Sequence, residues 1–378
     1  MSKNIEVIRL WQLPDDFFSL PREDQWLVME KITSKANIIT KPRQPCHISR
    51  SDDALAIMFF LVTLGLPFLV PGLVAAAVYS NSVPHIIGSI ILSVFLALHP
   101  LPRGDWRRSR LALALIRYFS MEVLVDRDNP RCADMATSAV NDPSFTGKNL
   151  PMICLACPHG VFNYGAIIWC CVSSFFVGYE QYTAAASAVQ YVPGLRYMDR
   201  LICAVDADRK TLKDVLQQKV NNGKLEDPKW GRGGMLGVVP DGILGAFRCK
   251  PGVDELVIGK RRGLMRICAE EGVNVLAGWF FGTTDMLTVM QDPFGIMEYV
   301  SRKLQAGMLG YYGRWYLPIP RRVAVTLAYH IHPCGEKNSS PSKEEVNKLH
   351  DDVYGGLQRS YEEMKKFAGY PDRTLVVS

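Results

Sequence analysis

A chain of 378 residues, 48% hydrophobic and 21% charged, can bury a large core, and one α/β domain with a membrane element attached accounts for that length. A formal net charge of +6 suits an anionic membrane surface or a phosphorylated ligand; no zinc-finger spacing, basic-region heptad or RNA-binding aromatic signature points to nucleic acid. Ten scattered cysteines, several inside apolar runs (Cys154, Cys170, Cys171, Cys203, Cys268), argue against a disulfide framework and for a reducing compartment.

Residues 1–53 read as a cytosolic leader, weakly amphipathic around Trp26–Ile32 and without the apolar stretch of a cleaved signal peptide. No charged residue occurs from Ala54 to Tyr79 or from Val83 to Leu98, and Ser80-Asn81-Ser82 separates the two runs, which predicts a membrane hairpin over 54–99. A spanning helix needs ~20 apolar residues for a ~30 Å hydrocarbon core. The first run exceeds that but holds Pro67 and Pro71, and the second is short, so a full crossing and a re-entrant wedge both stay open. Lys41, Arg43 and Arg50 precede the pair and Arg103, Arg107, Arg108 and Arg110 follow it, which places both ends in the cytosol.

Residues 100–378 form the remaining body. It opens with a basic segment, Arg103–Phe119, whose Leu111, Leu113, Leu115 and Ile116 predict a helix lying at the headgroup level. Strand-like segments then alternate with helical ones: Met152–Ala156, a helix from about Val161, Leu201–Val205, a charged helix Thr211–Asn221, Met235–Val239, a helix Lys260–Glu271, Asn274–Phe281 and Val323–Ile331. This alternation predicts an α/β fold, a mixed or parallel sheet flanked by helices. Ser342 and Glu345 form a capping box for a last helix that Gly369 and Pro371 stop.

Cys157-Pro158-His159-Gly160 falls between a buried strand and a long apolar helix. A histidine on such a turn sits where backbone N–H groups point outward, so a base and oxyanion donors can converge. Cys154-x-x-Cys157 has metal spacing but no second pair, and no metal centre is expected. His47, His85, His99, His330, His332 and His350 read as structural or solvated.

In order and spacing, Tyr118-Phe119, Cys157-Pro158-His159-Gly160, Val192-Pro193-Gly194-Leu195-Arg196, Pro240-Asp241-Gly242, Arg262-Gly263-Leu264 and Phe281-Gly282 resemble the diacylglycerol acyltransferase type 2 family, which also carries a hairpin ahead of its Tyr-Phe. The likeness runs from about residue 54 to Leu375-Val376-Val377. It implies a glycerolipid-acyltransferase-like mixed sheet flanked by helices and makes 100–378 an acyltransferase catalytic domain. Acyl-CoA would be the co-substrate, with no other cofactor, and a fatty acyl group would pass to diacylglycerol to give triacylglycerol at the endoplasmic reticulum membrane or on lipid droplets. Monoacylglycerol and a long-chain alcohol are the other acceptors, and a homo-oligomer is compatible with such a chain.

The chain departs from the family in three places. Cys157 stands for the first histidine of His-Pro-His-Gly. Pro240-Asp241-Gly242-Ile243-Leu244-Gly245 stands for Pro-Gly-Gly-x-x-Glu, and Thr283 for the glutamate of Phe-Gly-Glu. A catalytically silent lipid-binding or scaffold protein is the reading that Gly245 favours.

Ester formation from a thioester needs a base for the acceptor hydroxyl and donors for the oxyanion. His159 suits the first role, since neutral imidazole is poised near pH 7. The amides of Gly160 and Val161, opening a helix, suit the second. The fifth residue after His159 is Tyr164, not a carboxylate, so Asp241 on its own strand-end turn is the candidate orienting acid. Cys157 and His159, two apart in an extended segment, could share a face as a nucleophile–base pair; a Cys filling the usual histidine's slot is the simpler account. Cys157 and Pro158 would line the substrate, and Lys260, Arg261, Arg262 and Arg266 would meet the phosphates of acyl-CoA.

Overall fold

The computed structural model describes residues 4–41, 44–99, 106–128, 151–177, 180–217, 233–258, 261–304, 307, 309–314, 317–319, 324–326 and 337–378. In chain order its strands are β1 (Ile5–Ile8), β2 (Thr33–Lys35), β3 (Glu122–Asp126), β4 (Met152–Cys157), β5 (Glu180–Ala185), β6 (Ala204–Asp206), β7 (Gly233–Val238), β8 (Asp254–Leu256), β9 (Asn274–Phe281), β10 (Thr288–Val289), β11 (Tyr311–Tyr312), β12 (Ala324–Thr326) and β13 (Leu375–Val377). Nine of these form one sheet in the order β2-β1-β3-β12-β9-β4-β7-β5-β6. From β9 to β6 every neighbour is parallel, while β1 pairs antiparallel with β2 and β3, and β12 antiparallel with β9. The sheet is therefore mixed, and β4 lies in its parallel half between β9 and β7.

Strand β4 is buried on both faces, which is why it reads as a continuous apolar run rather than an alternating one. Met152, Cys154 and Ala156 join a core with Phe17, Leu113 and Trp169. Ile153, Leu155 and Cys157 join the opposite core with Val215, Met265 and Tyr361. The helices Arg110–Tyr118 and Tyr164–Val177 cover the first face, and Arg209–Leu216, Gly263–Glu271 and Lys343–Ala368 the second. Ser342 and Glu345 make the expected capping box, and Gly369 ends that helix in the left-handed region.

Two expectations are corrected here. Residues of the leader enter the main sheet, with Glu6 opposite Val125 and Val7 opposite Leu124, so this part of 1–53 is built into the body. The helix Arg110–Tyr118 does not lie on a headgroup surface: Ala112 to Ile116 are all buried, and Arg110 and Arg117 pair with Asp52 at 2.7 and 3.0 Å. Its amphipathic face is spent on protein. Arg43, Arg103, Val323, Ile331, His330, His332 and the end of the 211–221 segment lie outside the described residues.

Among the described residues one helix, Arg50–Tyr79, is long and apolar enough to cross a membrane, and Val83–Leu98 is a shorter apolar helix packed beside it after the turn at Asn81. The first turns of Arg50–Tyr79 are core: Ala56, Phe59, Phe60 and Leu64 are buried, and Phe60 meets Tyr118, Phe119 and Tyr164 edge-on. Pro67 offers no N–H to the carbonyl of Thr63, and the helix widens into a π turn over Leu61–Gly65. From Leu66 onward most side chains are open, and Val83–Leu98 buries none. The far end is latched to the body, because Tyr197 Oη lies 3.0 Å from His99 Nε2 and Arg196 donates to the Leu96 carbonyl at 3.1 Å.

Candidate active site

Parallel strands bring their carboxyl ends to one edge, and the turns that leave them are free to carry chemistry. The turn after β4 carries His159, that after β7 carries Asp241, and that after β9 carries Thr283. Pro158 and Gly160 are buried and His159 is half-exposed. Gly160 is left-handed, with φ +64°, and a side chain on it would strike Thr283 Cγ2 at 2.8 Å.

The imidazole is held by its own loop. His159 Nδ1 lies 2.8 Å from the Gly160 carbonyl, which can only accept, so Nδ1 carries the proton and Nε2 keeps its lone pair in the neutral ring. No described residue occupies Nε2. Asp241 is 1% exposed and also holds this loop, but through the main chain: the His159 amide donates to Asp241 Oδ2 at 3.1 Å. Burial raises the Asp241 pKa above the usual carboxylate range, opposed by the nearby His159 and Arg261. Arg261 clamps the same turn by donating to the carbonyls of Pro240 and Asp241 at 3.1 and 3.2 Å.

Gly245 is part of this arrangement. A Cβ at 245 would sit 2.4 Å from Asp241 Oδ2 and 2.6 Å from Cγ, so the carboxyl group occupies the space that any side chain there would need. The sequence sets Asp241 and Gly245 in one departure but gives them unrelated meanings, a candidate orienting acid and a missing carboxylate.

The oxyanion donors differ from expectation. The helix begins at Tyr164, and its first turn is capped by Asn163, whose Oδ1 accepts from the Ala166 amide at 2.9 Å. Gly160 and Val161 thus precede the helix. The Gly160 amide has no hydrogen-bond partner among the described residues.

Behind the turn after β9 stands a buried brace that sequence reasoning missed. Asp254, 1% exposed, accepts from Tyr361 Oη at 2.9 Å and Thr284 Oγ1 at 3.1 Å, while Arg373 reaches Asp254 at 3.4 Å and Asp285 at 2.9 Å. Burial raises the Asp254 pKa and the Arg373 charge opposes it. The C-terminal strand β13, parallel to β8, delivers Arg373 to this place. Of these residues only Asp285, two positions after Thr283, stands beside a motif in the sequence.

Of the four cations assigned to acyl-CoA, the structure brings one to the site. Arg261 lines a cavity of about 410 Å³ with Ser187, Asp208, Ile243, Leu244 and Arg302, at the carboxyl ends of β5, β6 and β7. Arg262 instead bonds Asn347 and His350 at 3.0 and 2.7 Å, and Arg266 the Pro341 carbonyl at 3.2 Å, so both serve the last helix. Lys260 lies outside the described residues. Cys157 is 0% exposed, and its thiol pKa is pushed well above the ordinary value, first by burial and then by Asp241. Cys154 faces the other side of the sheet, so the two thiols do not form a pair.

Parallel strands converging on a histidine turn, with apolar helices attached, define a mixed α/β protein whose candidate centre is built from strand-end loops. Residues 147–378 match the diacylglycerol acyltransferase family, and the chain belongs to it. Among its relatives, Diacylglycerol O-acyltransferase 2-like protein 6 of Bos taurus is 22% identical over 231 residues, 55% of this chain and 64% of that protein. Acyl-CoA wax alcohol acyltransferase 2 is 26% identical in Mus musculus, over 61% of this chain and 70% of that protein. In Homo sapiens it is 25% identical, over 58% and 66%. The match thus spans about two thirds of each relative, just under it for the first and third. No solved structure matches the chain.

Proposed function

We propose that this protein is a membrane-bound, acyl-CoA-dependent O-acyltransferase with His159 as its base. The observation that carries the reading is the Nδ1 contact with the Gly160 carbonyl, which in the neutral ring leaves the Nε2 lone pair free at the sheet edge. Nε2 takes the proton of the acceptor hydroxyl as its oxygen attacks the thioester carbonyl carbon. The oxyanion is met by the Gly160 amide, the C–S bond breaks, and the imidazolium returns its proton to the departing thiolate. A positioned base of this kind contributes about 10²–10⁴-fold. Asp241 holds the histidine's loop rather than its ring. Arg261 and Arg302, lining the cavity beside the Asp241 turn, suit the phosphates of acyl-CoA.

The acceptor we favour is diacylglycerol, giving triacylglycerol. A long-chain alcohol is the second reading, favoured because two of the relatives are named wax alcohol acyltransferases. The hairpin suits a wedge in the endoplasmic reticulum membrane with both chain ends cytosolic. Its open parts, Leu66–Tyr79 and Val83–Leu98, are 14 and 16 residues long. At 1.5 Å per residue they reach about 21 and 24 Å, short of a ~30 Å core. A device entering from one side also suits the monolayer of a lipid droplet.

The test is a microsomal assay with labelled acyl-CoA and a panel of diacylglycerol, monoacylglycerol and long-chain alcohols. Acceptor-dependent ester should form and fall at least about 100-fold in His159→Gln. Equal product in the two proteins would overturn the role of His159, and background in both would favour a scaffold.

A further inference from the structure

Large exposed apolar side chains gather in two stretches of the described chain: the two apolar helices, and a segment from Met290 to Leu304 that no sequence reading singled out. In the second, Phe294 is 84% exposed, Ile296 61%, Tyr299 64% and Leu304 56%. A concentration of this kind on an ordered surface marks a contact site. The segment is well built: Asp292 accepts from the amides of Ile296 and Glu298 at 3.1 and 2.9 Å, and Met290 donates to the Gly310 carbonyl at 2.8 Å.

Its position ties it to both the hairpin and the histidine turn. It leaves β10 and returns to β11, where Tyr311 meets Phe68 of the apolar helix at 5.9 Å and Phe162 of the His159 loop at 5.3 Å, ring centre to ring centre. Within the helix Ile296–Leu304, Ser301 is buried and Met297 half-buried, toward Gly242–Arg248. The opposite side shows Ile296, Tyr299, Arg302 and Lys303, and the Lys303 ammonium lies 5.8 Å from the Tyr299 ring centre. No carboxylate is fully exposed from Met290 to Leu304: Asp292 caps the helix, and the half-buried Glu298 pairs with Arg302 at 3.7 Å.

Apolar and aromatic side chains mixed with basic ones are the pattern of a helix lying in a headgroup layer, the lysine stem running along apolar surface and its charge reaching up. We propose that Met290–Leu304 is a second membrane contact, docked on an anionic phospholipid surface in the leaflet that receives the hairpin. Phe294, Ile296 and Tyr299 enter the acyl boundary, and Lys303 meets the headgroups. A second copy of the chain fits less well, since a two-fold contact would set this cation against its own counterpart. The inference rests on the membrane seat proposed for the hairpin. Two contacts flanking the His159 turn would hold it at the lipid surface, where a long acyl chain need not cross water.

The experiment reads lipid contact rather than turnover. The full-length protein is reconstituted into phosphatidylcholine vesicles, with and without phosphatidylserine, containing a phospholipid with a photoactivatable acyl chain, and adducts are mapped by mass spectrometry. Adducts are expected on Met290–Leu304 as well as on Leu66–Leu98. Phosphatidylserine should raise the yield on the first, and Lys303→Gln should lower it about fivefold, the factor for one basic residue at an anionic surface. Adducts on the hairpin alone overturn the proposal, as do cross-links joining two copies through Tyr299 in place of lipid. Adducts on Met290–Leu304 alone would instead overturn the hairpin's membrane seat while upholding this contact.

Discussion

Gly245→Ala tests the linkage between Asp241 and the His159 loop, because two effects of opposite sign compete. In an exposed helix the change should stabilise by up to about 1 kcal/mol, the difference in helix propensity. Here the new Cβ would lie 2.4 Å from Asp241 Oδ2 and 2.6 Å from its Cγ, about 1 Å inside ordinary contact, so the carboxyl group must move. The atom displaced accepts the His159 amide at 3.1 Å. Hydrogen bonds to a charged group contribute about 1.5–3 kcal/mol, which corresponds to roughly 10–150-fold if the whole loss appears in the barrier. The expected outcome is a fall in kcat of that order in the labelled acyl-CoA assay, with the KM for acyl-CoA nearly unchanged. Asp241→Asn should cost less, because its amide oxygen can still accept from His159. Adding Asp241→Gly to Gly245→Ala removes the clash and should restore thermal stability without restoring turnover. Wild-type kcat and a raised melting temperature in Gly245→Ala would refute the reasoning.

Three further substitutions address other parts of the structure. Cys157→Ser should keep near-normal turnover, because the thiol is buried in the core; intact-mass detection of an acyl adduct in the wild-type protein but not in this variant would show otherwise. Arg373→Met leaves Asp254 and Asp285 without their cation and should destabilise by about 3–5 kcal/mol, read as a lower melting temperature that Asp254→Asn partly restores. Asp199, 9% exposed, has its pKa raised by burial from 3.8 to about 7. The folded chain then holds a proton that the unfolded chain has released, so stability falls as pH rises from ~4 to ~7 and stays low above it. Asp199→Asn should therefore stabilise the protein at pH 8 and progressively less toward pH 4; an equal gain at both would be incompatible with this account.

Local signals survived folding where the local chain decides the outcome. The Ser342–Glu345 box needs only a helix to form, and Asn274–Phe281 is strand from end to end because a run of that hydrophobicity has to be covered on both sides. Signals that depend on a distant partner did not survive. Ile5–Ile8 is four residues with one carboxylate, and only the antiparallel pairing with Glu122–Asp126 makes it a strand of the main sheet. Arg110–Tyr118 is as amphipathic as an interfacial helix, but Asp15 and Asp52 supply its counter-charges and protein covers its apolar face. Composition cannot distinguish a face turned to lipid from one turned to a core. Met290–Leu304 escaped notice for the converse reason, since Pro293 and Gly295 interrupt its apolar pattern and its exposure exists only in three dimensions.

The same distinction governs the site. His159 was legible because the strand before it and the helix after it are both local, so the turn between them is fixed by sequence. The arginines were legible as charge but not as direction: Arg262 and Arg266 turn to the last helix, and only Arg261 reaches the Asp241 turn. Asp241 and Gly245 carry the instructive case. Set beside Pro-Gly-Gly-x-x-Glu, they read as a candidate orienting acid and a missing carboxylate, and the second favours a silenced protein. In space they are one exchange. The two positions lie a single helical turn apart on the same face, and the Asp241 carboxyl fills the volume above Gly245 while holding the histidine's amide. Asp241 with Gly245, like Gly with Glu at the same two positions, leaves a single carboxylate on this turn, so the departure does not by itself argue against catalysis.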